Sequence, residues 1–268
     1  MDNVFVDTHS HLFLPEFDQD RHETVQRAIN HGIKAIFLPN VDLDTIDQVF
    51  ELADSFPENC FPMAGLHPES VHADYEEKLI RIEKIIEQKK VYGIGETGLD
   101  YYWDQTYKEQ QKAGFDHQLK MAKKFNLPIV IHVRNSFDDV IELVQKNASP
   151  GLTGIFHCFT GTREEAEKII GLGFYLGIGG IITFKNGGLD KVIPDIPLES
   201  IVLETDSPFL APVPYRGKRN ESSYVVLVAD KIAQLKNITL EEVARTTTMN
   251  AQKLFKFELK SGSISEKA

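Results

Sequence analysis

A chain of 268 residues with 42% hydrophobic residues can bury a large core, and the length suits one α/β barrel. A formal charge of −11 argues against electrostatic coating of nucleic acid, and two cysteines are too few for a disulfide framework. No apolar run approaches the roughly 18 residues of a membrane span, and no basic stretch leads into an apolar one at the N-terminus. The expectation is a cytoplasmic protein with no signal peptide, no membrane segment and no obligate protein partner.

In chain order, apolar runs at 4–7, 34–40, 62–66, 91–96, 129–133, 154–158, 174–178 and 201–205 read as strands. Several are continuous rather than alternating, as strands buried on both faces of a parallel sheet should be. Helical periodicity fills 24–33, 45–56, 75–87, 107–125, 138–146 and 164–170, and two further helices, 224–235 and 240–255, follow the last strand. Capping-box pairs precede three helices: Thr106 with Glu109, Thr162 with Glu165, and Thr239 with Glu242. This βα alternation predicts a single (β/α)8 TIM barrel over 1–258, with a disordered polar tail at 259–268. A doubly wound open sheet is the alternative, but it would gather ligands at one crevice rather than at many strand ends.

Those strand ends carry the functional signal. His9 and His11 close the first run in NVFVDTHSH, and residues i and i+2 of a strand share a face. Glu96 ends the fourth run, His132 the fifth, His157 the sixth, and Asp206 follows the eighth. All would meet at the C-terminal mouth of a closed barrel, where active sites of that fold lie. Six ligands exceed one four-coordinate site. The pattern therefore predicts two divalent ions (magnesium, manganese or zinc): His9, His11 and Asp206 on one, His132 and His157 on the other, with Glu96 between them. Two ions about 3.5–4 Å apart can clamp the attacking and leaving oxygens of a displacement at phosphorus.

Other features admit two readings. Residues 93–98, GIGETG, match a dinucleotide fingerprint literally, but the following LDYYW does not open a helix. Cys158 should face away from its neighbour His157. His67, in GLHPE, would either touch substrate or cap its loop. Arg134 should share a face with His132 and suits an anion clamp, unless Asp138 pairs with it. The loop after Asp206 holds Arg216, Lys218 and Arg219 and could seat a phosphate or be a solvated turn. Tyr101, Tyr102 and Trp103 could stack a base or pack the barrel mouth. Glu204 shares a face with Asp206 and could orient a ligand histidine.

The ordered strings FVDTHSH, GLHPE, GIGETGLDYY, PIVIHVRNSFDD, HCFTG, IPLESIVLETDSP, APVPYRGKRNE and NAQKLF together resemble the TatD-family deoxyribonucleases, within the wider amidohydrolase-like barrels. The resemblance spans nearly the whole domain. It implies metal ligands at His9, His11, Glu96, His132, His157 and Asp206, and divalent-metal-dependent hydrolysis of DNA phosphodiesters from a strand end, with single-stranded DNA as substrate. Phe13 stands where the family often has aspartate, and Ser222-Ser223 where a proline is common; neither is a ligand, so both bear on substrate fit. The expected reaction uses a metal-activated water. Asp206, Glu96 and Arg134 would be catalytic, and His67, Arg134, Lys218 and Arg219 would hold substrate. Rival readings are a binuclear hydrolase of a small amide, lactone or ester on the same barrel, and a non-catalytic metal- or nucleic-acid-binding module.

Overall fold

The chain forms a closed ring of eight parallel strands, seen in a computed structural model that describes residues 3–259. The strands are β1 (Phe5–Asp7), β2 (Ile33–Pro39), β3 (Cys60–Met63), β4 (Ile94–Asp100), β5 (Ile129–Arg134), β6 (Gly154–Phe156), β7 (Tyr175–Ile178) and β8 (Ile201–Leu203). Ladders join β1–β2–β3 and β4 through β8. Two single bridges complete the circle: Ala64 with Ile94, and Ser10 with Ser207, beside which Thr8 N–H donates to the Leu203 carbonyl. The (β/α)8 expectation holds. Residues 260–268 of the expected tail lie outside the described residues.

Helices α1 (Arg21–Asn30), α2 (Leu43–Ser55), α3 (Tyr75–Gln88), α4 (Lys108–Phe125), α5 (Phe137–Lys146) and α6 (Arg163–Gly171) alternate with the first seven strands. Only a four-residue helix, α7 (Leu189–Val192), and short 3-10 turns join β7 to β8. Helices α8 (Val225–Lys236) and α9 (Leu240–Phe255) both follow β8. Thr162 and Glu165 form a reciprocal capping box, and Thr239 accepts from Glu242 N–H. Thr106 does not cap: α4 starts two residues later, and the Thr106 hydroxyl donates to Asp104 instead, as a turn-forming aspartate invites.

Alternation divides the core into two layers. Val6, Ala35, Phe37, Met63, Val130, Ile155 and Val202 point into the lumen, where Phe255 at the end of α9 and Phe257 just beyond it join them as a plug. Their strand neighbours, such as Ile36, Ile129, Ile131, Phe156 and Leu203, pack outward against the helices. Moving two residues along a strand keeps the face. Val130 therefore leads to His132, Ile155 to His157 and Val202 to Glu204, an apolar floor beneath a polar mouth.

Strand four runs to Asp100 rather than ending at Glu96. The glycines that looked like a terminus permit a close approach: a Cβ on Gly98 (φ +143°) would strike the His132 carbonyl of β5. The pairing with β5 slips between Ile94 and Thr97, then continues to Asp100 opposite Arg134. So the fingerprint-like glycines lie in a strand and start no helix.

Asn250 on α9 donates from one amide to the carbonyls of Leu198 and Ile201 at the start of β8, all buried. Asn250→Ala would remove both bonds, leaving the Leu198 carbonyl only the Ile201 N–H, and should lower stability by about 1–3 kcal/mol. Urea unfolding of the two proteins would measure it.

Candidate metal centre

Glu96 lies at the middle of the lumen's polar end, almost wholly buried. Its Oε2 is 3.1 Å from His9 Nε2 and 3.6 Å from His11 Nε2. Its Oε1 is 2.8 Å from His132 Nδ1, 3.4 Å from His67 Nε2 and 3.5 Å from His157 Nε2. Asp206 completes the group: its Oδ1 is 3.4 Å from His11 Nε2 and 3.8 Å from His9 Nε2. The fold thus brings together all six expected ligand residues, and His67 with them. His9 and His11 lie just beyond β1 in chain that bridges to the β8 loop, and their Nε2 atoms are 3.1 Å apart.

The partner behind each ring sorts these histidines. His11 Nδ1 lies 3.2 Å from the Pro39 carbonyl, which can only accept, so Nδ1 carries a proton and Nε2 faces inward. His132 has Nε2 on Asp100 Oδ2 at 2.9 Å, leaving Nδ1 for the centre. His157 Nδ1 is 3.0 Å from Glu204 Oε1, an ion-pair contact outside hydrogen-bond geometry, and Nε2 faces the centre. Backing by a carboxylate or carbonyl is what metal-ligating histidines have. His67 is the opposite case: its Nδ1 accepts the Glu69 backbone N–H, so its Nε2–H faces the centre. His67 is built as a donor.

Electrostatics follow the same plan. Burial disfavours charge on His132 and His157, but Asp100 and Glu96 lift His132 to about 9, and Glu204 with Glu96 lifts His157 to about 10. Burial would likewise raise Glu96, yet the charge of His157 and the hydrogen bond from His132 hold it well below the usual carboxylate range. Asp206 is also held low against its burial, chiefly by a hydrogen bond from His11. His9 goes the other way, pushed down by burial and by His157.

The donor set fits a divalent cation on its chemistry. Ligand atoms of His9, His11 and Asp206 lie within 4.8 Å of one another, as do those of His9, Glu96 and His157. The His9 Nδ1 is buried without a partner. Imidazole and carboxylate together suit zinc or manganese.

Of the other expected site residues, Arg134 leaves the same face as His132 and lays its guanidinium 3.8 Å from the Tyr102 ring centre. Among the described residues no carboxylate pairs with Arg134, Asp138 included. Lys218 is exposed, without an ion pair among the described residues. Arg219 is engaged elsewhere: it clasps both oxygens of Asp20 at 2.7 Å and donates to the Glu16 carbonyl. Arg27 links Asp20 to Glu221, so this network ties the β8 loop to α1. Arg216 stacks on Phe184. Asp100 escaped the sequence reading because strand four was ended at Glu96. Carrying the alternation from 96 through 98 to 100 would have put it on the ligand face.

Residues 6–256 match the family described as TatD related DNase. The chain belongs to that family. Among its relatives, the uncharacterized metal-dependent hydrolase YabD of Bacillus subtilis is 41% identical over 254 residues, covering 94% of this chain and 99% of YabD. A protein of Edwardsiella piscicida named 3'-5' ssDNA/RNA exonuclease TatD is 31% identical over 247 residues, covering 90% and 95%. The crystal structure of YjjV, a TatD homologue from Escherichia coli, superposes with a TM-score of 0.90 at 30% identity, covering 96% of this chain and all of that one. As a TatD-family member the protein is a metal-dependent hydrolase, and no described helix is long and apolar enough to cross a membrane.

Glu204 depends on a neighbour without a side chain. A Cβ on Gly177 of β7 would overlap the Glu204 carboxylate. Gly177→Ala should displace that carboxylate from His157 and cost about 1–3 kcal/mol of stability, readable by chemical denaturation.

Proposed function

We propose that this TatD-family hydrolase cleaves phosphodiester bonds of single-stranded DNA from a strand end, using two divalent ions that share Glu96. One observation carries the reading: the two oxygens of Glu96 face different histidine sets, Oε2 toward His9 and His11 and Oε1 toward His132 and His157. On this reading His9, His11 and Asp206 hold one ion, and His132 and His157 the other. Bound there, magnesium, manganese or zinc would supply Lewis-acid polarisation of a phosphoryl oxygen and acidify a water. The exonuclease name of the Edwardsiella relative supports nucleic acid from a strand end as the substrate class.

The chain's own residues would do the rest. Asp206, kept ionised by His11, takes a proton from the water that attacks phosphorus. Arg134, without an ion pair among the described residues, meets the phosphoryl oxygens as charge gathers on them. His67 donates its Nε2–H to the same group. Lys218, exposed and without an ion pair among the described residues, meets a more distant phosphate. Arg219, held by Asp20, shapes the loop that carries Lys218.

End-labelled single-stranded DNA, metal-free protein and added magnesium, manganese or zinc make the test. The expected result is metal-dependent laddering from one end, reduced about 100-fold or more in Asp206→Asn. Near-full turnover by that variant would remove Asp206 from the chemistry. No cleavage with any ion, despite measured metal uptake, would overturn the nuclease reading.

Proton competition gives a second test. In the metal-free protein His132 and His157 are protonated at neutral pH, because their values lie near 9 and 10. A cation must displace those protons, so its affinity should climb as pH rises from 6 toward 9, with proton release on binding. Titration calorimetry with manganese in buffers of different ionisation enthalpy reads both. A flat affinity without proton release would exclude these two histidines as ligands.

A further inference from the structure

Beside the metal centre, the loop after β4 presents the two most solvent-facing aromatic side chains at the barrel mouth. Trp103 is 66% exposed and Tyr102 53% exposed, although both are large apolar rings that burial would favour. Their ring centres are 4.7 Å apart, nearly perpendicular. The Arg134 guanidinium lies against the pair, 3.8 Å from the Tyr102 ring centre and 5.1 Å from that of Trp103. Trp103 also walls a cleft of about 210 Å³ that reaches Asp100, with Pro68, Val71 and Tyr107 opposite.

The loop is fixed relative to the metal ligands. Asp100 holds His132 Nε2 with one oxygen at 2.9 Å and the Tyr102 backbone N–H with the other at 2.8 Å. Tyr101 N–H donates to the Arg134 carbonyl, continuing the β4–β5 ladder one step past the strands. A single carboxylate thus sets both a candidate ligand and the aromatic pair, so the rings stand at a constant offset from the site of bond cleavage.

We propose that Trp103, backed by Tyr102, is the seat of an unpaired nucleobase adjoining the phosphate that Arg134 holds; this rests on the nuclease reading above. The occupant follows from the chemistry of the three groups. A guanidinium flat against an aromatic ring turns its edge toward an anion, and an exposed indole face beside it matches the π-face of a base. A sugar–phosphate unit offers those two features side by side. Within a duplex the bases are stacked on each other, so such a seat selects an unpaired end. Base identity matters little, because every base has a π-face.

The test compares manganese-loaded wild type with Trp103→Ala and Trp103→Phe on oligothymidylate and on the same strand bearing abasic residues at the cleaved end. Stacking of one base predicts that Trp103→Ala raises KM about 10-fold on oligothymidylate and leaves the abasic strand unaffected, with Trp103→Phe recovering most of the loss. Wild type should itself show a KM about 10-fold higher on the abasic strand. An unchanged KM in Trp103→Ala, or an equal rise on both strands, would overturn the seat while leaving the nuclease reading intact. Should no strand be cleaved with any metal, the nuclease reading fails and fluorescence decides the seat, because Trp103 is the one tryptophan of the chain. Quenching by oligothymidylate but not by the abasic strand upholds it; no difference between the strands removes it.

Discussion

A single buried carboxylate among five imidazoles is the constraint on which the rest of this structure depends. Taking an anion such as Glu96 out of water costs several kcal/mol unless partners close around it. Here the compensation comes from His9, His11, His67, His132 and His157, all with a ring nitrogen 2.8–3.6 Å from one of its oxygens. No two of those histidines lie on the same regular strand, so the arrangement exists only when the barrel is shut. The slipped pairing of β4 and the bare backbone of Gly98 bring Glu96 to that point. Asp100, Glu204 and the Pro39 carbonyl then fix three of the rings from behind.

Stability and chemistry are kept apart along the same strands. The lower lumen is filled by Phe37, Phe61, Met63 and the α9 residues Leu254 and Phe255, with Phe257 just beyond, so the floor is an ordinary close-packed core. Two residues further along, the same face carries His132, His157 and Glu204. A polar cluster of this size is tolerable because each of its members meets another, and because the hydrophobic work is done beneath it. This division also explains why α9 matters to a site it does not touch. Its end plugs the floor, and its Asn250 holds the start of β8, the strand that leads to Asp206.

Much of this was legible from residue order alone. Eight apolar runs, five of them with ligand-type residues at their ends, imply a closed barrel, since only closure lets His9 and Asp206 meet; the backbone bond from Asp206 N–H to the His9 carbonyl is that closure. What escaped depended on contacts between distant segments. Strand four looked finished at Glu96 because glycine weakens a strand, and nothing local reveals that β5 presses against Gly98. Arg219 looked available because the stretch from Ser207 to Asn220 holds no carboxylate, yet Asp20 arrives from the α1 end of the barrel. Thr106 had a capping partner at the right spacing, and a nearer aspartate took its hydroxyl.

The charge balance bears on how such a protein would engage a polyanion at all. Proteins that grip duplex DNA do so mainly by neutralising many phosphates, with counterion release supplying the affinity. A chain at −11, whose loop arginines 216 and 219 are stacked or paired within the protein, has few cations to spend in that way. On the proposed reading its grip must come from a few short-range contacts: the metal centre, Arg134, and an aromatic seat whose stacking is indifferent to net charge. Repulsion of the long polyanion would be offset only where all three are engaged together. A strand end with an unpaired base engages all three, whereas the interior of a duplex, its bases already stacked, leaves the aromatic seat empty and keeps the repulsion. Selection for single-stranded ends would then follow from the protein's acidity as much as from the shape of its site.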